Sequence, residues 1–136
     1  MSMENVGRGF EDPLSCSTIA HRALLKKKWA DRETGEISSA AYIPRLVGDE
    51  DGLSVSIRCS PEESVRQFRQ HFGTASLHVG RVRDVDGLDI IEDPADHCHA
   101  LIRGIPIPPA DLARTEYLAG VLARQSRLIP VLPHPQ

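Results

Sequence analysis

Leu53, Val55, Ile57 and Cys59 alternate with Ser54, Ser56 and Arg58, and this period of two marks residues 53–59 as the clearest strand of the chain. Ser60-Pro61-Glu62-Glu63 follows as a helix start. The serine can cap, the proline fits the first helical position, and the acids meet the positive helix end. Val65, Phe68 and Phe72 then recur at helical spacing up to Gly73, which suits a C-terminal cap. The pattern predicts a strand over 75–85, a turn at Asp86-Gly87 and a second strand over 88–91, with Asp-Gly signalling a hairpin. A strand over 97–103 and a helix over 109–127 come next. On that helix Leu112, Thr115, Leu118, Ala119 and Leu122 share a face. A short strand over 128–132 ends the pattern.

The first third is less periodic. Residues 17–29 read as a helix capped by Ser17 and ending in Lys26-Lys27-Lys28, with a strand over 18–24 as the alternative. Residues 37–46, broken by Pro44, read as an edge strand. Clustered strands with two firm helices give an α+β class: a small mixed or mostly antiparallel sheet with two main helices packed on one face. The organisation expected is a flexible tail over 1–15, a single α+β domain over 16–132 and a loose end over 133–136.

Composition narrows the function classes. The 136 residues suit one domain, which can bury roughly two-thirds of its unfolded surface. Aromatic residues are only 4%, so the core must rest on Leu, Ile, Val and Ala. A net charge of −3 argues against a dedicated nucleic-acid binder while leaving room for a local basic patch. The three cysteines, Cys16, Cys59 and Cys98, are too widely spaced for a disulfide framework. The chain has no signal-peptide layout and no apolar run near the ~20 residues needed to span a bilayer. A reduced, cytoplasmic protein with no membrane partner is expected.

Chemistry concentrates in Asp93-Pro94-Ala95-Asp96-His97-Cys98-His99. On a strand His97, His99, Leu101 and Arg103 share one face, and Cys98, Ala100 and Ile102 share the other. His99 and His97 can act as acid and base, and Arg103 can hold an anion bidentately. A zinc site needs about three protein ligands. Cys98 points away from the two histidines, so no metal and no cofactor is expected. Lys26, Lys27 and Lys28 beside Trp29 place charge next to an aromatic that can stack a base, although a solvated charge run is the plainer account.

Ser38-Ser39-Ala40-Ala41-Tyr42, then Asp51-Gly52-Leu53-Ser54-Val55, then His99-Ala100-Leu101-Ile102-Arg103-Gly104 resemble the pattern of a group of small bacterial proteins with no established activity. The resemblance implies that Ser38, Ser39, Tyr42, Asp51 and His99 belong to one shared feature, with His97 and Cys98 outside it, and it supplies no substrate. In length and layout the chain also resembles components of bacterial conflict or defence loci. His21-Arg22, Ser38-Ser39 and Tyr42, with Glu92 as the acid, faintly resemble the layout of ADP-ribosyl-transferring toxins. That likeness requires residues 17–29 to be a strand.

The leading expectation is a small accessory or effector protein that hydrolyses or transfers at a phosphate-containing substrate, a nucleotide or RNA. His99, Arg103 and His97 are its catalytic candidates, and Ser38, Ser39, Tyr42 and Arg45 its substrate-binding ones. The alternative is a non-enzymatic module that binds a protein partner or a second copy of itself, with His99 structural.

Overall fold

A computed structural model describes residues 14–131. The expected tail over 1–13 and loose end over 133–136 lie outside the described residues. Leu14 and Ser15, expected in the tail, are described, and Leu14 is buried in the core while Arg83 donates to its carbonyl at 2.8 Å.

The fold is α+β. Six strands form one sheet: β1 (Ile19–Ala23), β2 (Leu53–Ser56), β3 (Thr74–His78), β4 (Asp89–Glu92), β5 (His99–Arg103) and β6 (Arg127–Ile129). Their order is β4-β5-β2-β1-β3-β6 with every pairing antiparallel. Three helices join them: α1 (Pro61–Val65), α2 (Val79–Arg83) and α3 (Leu112–Gln125). No helix of the described residues is long and apolar enough to cross a membrane.

Register sorts the side chains. Ala20 pairs with Leu77, Val55 with Ala100, Leu53 with Ile102 and Ile102 with Ile90, so these residues share one face. All are buried with Leu118, Ala119 and Leu122 of α3 and with Ala41 and Tyr42. The core thus uses small and aliphatic side chains, as the low aromatic content requires. Leu112 departs from the expected stripe and is exposed, because α3 only begins there.

The structure corrects four element expectations. Residues 17–29 are not a helix. β1 is the inner strand paired to β2 and β3, and only Lys27–Trp29 coils, as a 3-10 turn. Pairing on both sides outweighs the helical reading of a segment whose alanines fit either state. Residues 37–46 form no strand. Ser38 accepts from the Ala40 amide and caps a 3-10 turn, Ser39–Tyr42. The helix at Ser60 starts as expected, with both bonds of a capping box, but stops at Val65. The following chain is drawn against β1: Phe72 N–H donates to the Leu24 carbonyl and Leu24 N–H to that of Gly73. Gly73 has φ +99°, and a Cβ there would lie 2.7 Å from the Ile129 carbonyl. The strand expected over 75–85 ends at His78 and turns into α2, which buries Val79 and Val82 at helical spacing. Asp86-Gly87 therefore leads from α2 into β4 rather than closing a hairpin.

Arg22 on β1 ties the distant segments together. It shares a face with core residue Ala75, its register partner. Its guanidinium donates to the carbonyls of Ala41 and Ser54, each at 2.9 Å, and lies 5.8 Å from the centre of the Trp29 ring. The Ser39–Tyr42 turn is thereby fixed beneath α3. There the buried Tyr42 hydroxyl donates at 2.6 Å to Ser126 Oγ, which itself donates to the Leu122 carbonyl. Burial pushes the Tyr42 hydroxyl up to about 12.

Replacing Arg22 removes two charge-assisted bonds and leaves two carbonyls short of a partner. Arg22→Ala is expected to lower unfolding free energy by about 3 kcal/mol, and Arg22→Lys to recover little of it, since a point charge cannot span both acceptors. Urea unfolding of the two variants checks this. A lysine variant as stable as the wild type would contradict it.

Candidate functional site

The segment joining β4 to β5 folds back on itself. Asp93 N–H donates to the His99 carbonyl at 2.9 Å, and His99 N–H donates to that of Asp96 at 3.0 Å. One oxygen of Asp93, Oδ1, accepts from the Ala95 amide at 2.8 Å. The other, Oδ2, lies 2.9 Å from His99 Nδ1. This tight loop fixes the carboxylate and the imidazole against each other. Their side chains keep 28% and 30% of their surface exposed, so the pair is reachable.

The pair stands in a cleft of about 410 Å³ with Leu101 and Arg103 from β5, Ile91 and Glu92 from β4, and Glu50 and Asp51 from the loop before β2. Gly52 lets that loop lie against β5: its φ is +132°, and a Cβ would sit 2.7 Å from the Ile102 carbonyl. Arg103 Nε donates to the Asp51 carbonyl at 3.0 Å. Across the sheet, register aligns His99 with Ser56, Ser56 with His21, and His21 with Ser76 on the face away from the core.

The electrostatics follow from these bonds. The His99 ring and then the Ala95 amide hold the Asp93 carboxyl below its ordinary value. Four carboxylates, those of Glu50, Asp51, Glu92 and Asp93, line the cleft with the Arg103 guanidinium; Glu92 is paired with Arg58 and Asp93 with His99, so the acid excess at the cleft comes from Glu50 and Asp51. Among the described residues no group of three or more His, Cys, Asp or Glu is placed to hold a metal ion. All three cysteines are free.

The other sequence candidates fall elsewhere. His97 is 73% exposed, with its ring 3.9 Å from Glu92. Its carbonyl accepts from Arg58, whose guanidinium also bonds Glu92 at 2.5 Å and so clamps the loop. Ser38, Ser39, Tyr42 and Arg45 do not line the cleft. Ser38 caps the 3-10 turn that Ser39 opens, Tyr42 is buried, and Arg45 bonds the buried Asp49 through its amide at 2.8 Å and through Nε at 3.1 Å. Of the five residues in the shared pattern, Asp51 and His99 meet at the cleft, while Ser38, Ser39 and Tyr42 lie in the corner beside Arg22.

The residues of the toxin-like layout are engaged by the fold. Cys59 O can only accept, so His21 Nε2 donates to it, leaving Nδ1 to accept from Ser76 at 2.7 Å. Burial lowers the His21 pKa and favours this neutral ring. Glu92 is bonded to Arg58.

Two residues of the site were missed in the sequence. Asp93 was legible only as one of several acids, since its bond to His99 spans six positions of an irregular loop. Arg58 reads as the outward side of a strand, and its positive φ of 57° gives no sequence signal.

Comparisons with protein-family models, with curated proteins and with solved structures find no match to this chain.

A folded pKa below the ordinary one means that the Asp93–His99 bond contributes stability above about pH 3.8 and loses it as pH falls through the lower folded value. A carbon-detected NMR titration of the Asp93 carboxyl is expected to give a midpoint below 3.8 that moves upward in His99→Ala. A midpoint indifferent to the substitution would show that the pair does not interact in solution.

Proposed function

We propose that this protein is a small enzyme working by general acid–base catalysis at His99, with Asp93 as the residue that orients it. The observation carrying this reading is the 2.9 Å contact between Asp93 Oδ2 and His99 Nδ1 inside a cleft. A carboxylate on Nδ1 leaves Nε2 to take and return a proton, and a positioned imidazole contributes roughly 10²–10⁴-fold to such a step. The 30% exposure of His99, whose ring is held by Asp93 alone among the described side chains, fits a reacting group better than a buried structural one.

The lining also bears on the substrate. The expected class was a nucleotide or RNA undergoing hydrolysis or transfer. The carboxylates of Glu50 and Asp51 disfavour a phosphate in the cleft, and Arg103 already bonds a backbone carbonyl. A phosphate-containing substrate therefore fits best if it brings a neutral group, such as a sugar hydroxyl or a base, to His99 and keeps its phosphates outside the cleft. His97 is 73% exposed at the end of the loop and takes no part in the proposed proton transfer.

The non-enzymatic alternative would use an exposed apolar patch or a free sheet edge. Leu46 and Val47 are exposed, and β4 is an edge strand. That edge is four residues long with an acid at each end, which discourages strand addition.

The test is incubation of the wild type, His99→Ala and Asp93→Asn with ribonucleotides, dinucleotide cofactors and a short single-stranded RNA, with products read by mass spectrometry. Turnover is expected from the wild type, with a loss of at least about a hundredfold in a His99→Ala variant that stays folded at the assay temperature by circular dichroism. No wild-type turnover of any substrate, or equal turnover by His99→Ala, would overturn the reading.

A further inference from the structure

A second cavity, about 890 Å³ in volume, opens between the segment after β1 and the segment before β3. Lys27 and Lys28 of the 3-10 turn line it, together with Arg32 from the turn that follows and Arg69 from the chain after α1. All four are exposed, and among the described residues none is in an ion pair. The one carboxylate in the lining, Asp31, is turned to its own loop, where Oδ1 accepts from the amides of Glu33 and Thr34 at 2.9 and 3.3 Å. Phe72 and Ala30, both half-buried, add apolar surface beside these charges.

In a chain of net charge −3, four cations share the lining of one cavity with a single carboxylate, Asp31, so the cavity carries a net positive charge. An anion placed between them is attracted by that charge. Lysines neutralise phosphate as point charges, and arginines bond it bidentately. A bare polyanion would use only the cations. The aromatic ring in the wall suits a ligand that also carries a planar face.

We propose that this cavity binds a nucleotide, free or at the end of a single strand, with its phosphates among Lys27, Lys28, Arg32 and Arg69 and its base against Phe72. The inference concerns binding and stands whether or not His99 is catalytic.

The experiment is calorimetric titration with ADP, with a short 5′-phosphorylated single-stranded RNA, and with inorganic tripolyphosphate, at low and at physiological salt. Saturable binding of ADP or the RNA is expected, weakening as salt rises. Reversing Lys28→Glu and Arg69→Glu together is expected to weaken it at least about tenfold, and Phe72→Leu to weaken the nucleotide probes but not tripolyphosphate. Tighter binding of ADP identifies a free nucleotide as the ligand, and tighter binding of the RNA identifies a strand end. Tripolyphosphate binding as tightly as both would mean a generic polyanion patch and overturn the proposal. So would affinity unchanged by the double reversal, or no saturable binding of either nucleotide probe. Should the double variant fail to fold, Arg69→Gln serves instead: an unchanged salt dependence would overturn the proposal in the same way.

Discussion

Arg22 stands on the core face of an inner strand, where a charge without partners would cost several kcal/mol. Meeting that demand organises the neighbourhood. The guanidinium reaches the Ala41 and Ser54 carbonyls and lies beside Trp29, so β1, β2, the Ser39–Tyr42 turn and the Lys27–Trp29 turn become one unit. The buried Asp49 adds charge near the same guanidinium. Burial alone would raise the Asp49 carboxyl, but the bonds from Arg45 and the charges of Arg45 and Arg22 bring it below its ordinary value. The loop carrying Asp49 then runs on through Asp51 into the wall of the His99 cleft. The wall of the His99 cleft is thus joined through one loop to the charges around Arg22 on the other face of the sheet.

Where the sequence was legible, a local signal coincided with a local structure. The alternation of 53–59 became β2, Ser60-Pro61-Glu62-Glu63 became a capped helix start, and the face of Leu118, Ala119 and Leu122 became the buried side of α3. It misled where partners distant in sequence decide. Residues 17–29 carry helix-compatible alanines and lysines, yet β1 gains ladders on both sides, which no local pattern announces. Val79, Val82 and Val85 have helical spacing, which the β-branched composition of the segment obscured. The histidine at the centre of the site was visible because it begins a well-patterned strand. Its orienting carboxylate was not, because only the fold of an irregular loop brings Asp93 onto Nδ1. The serines and tyrosine of the shared pattern drew attention for their chemistry, but the fold uses Ser38 as a cap and Tyr42 as a core hydrogen-bond donor.

Two fields of opposite sign coexist on a chain of modest net charge. The His99 cleft is rich in carboxylates, and the cavity by Lys27 and Arg69 is rich in cations. Averaged over the sequence they nearly cancel, so composition alone argued against nucleic-acid chemistry while leaving a local patch open. On the proposed reading they divide the labour: phosphate goes to the cations, and proton transfer on a neutral group to His99 and Asp93.

The catalytic reading rests on Asp93 holding the His99 ring in one tautomer, and nitrogen-15 NMR of the imidazole reads this directly. In its neutral form His99 is predicted to carry its proton on Nδ1 with Nε2 unprotonated, and to revert toward the Nε2–H form common in free histidine when Asp93 is replaced by alanine. A wild-type ring protonated on Nε2, or one unaffected by Asp93→Ala, would contradict the account.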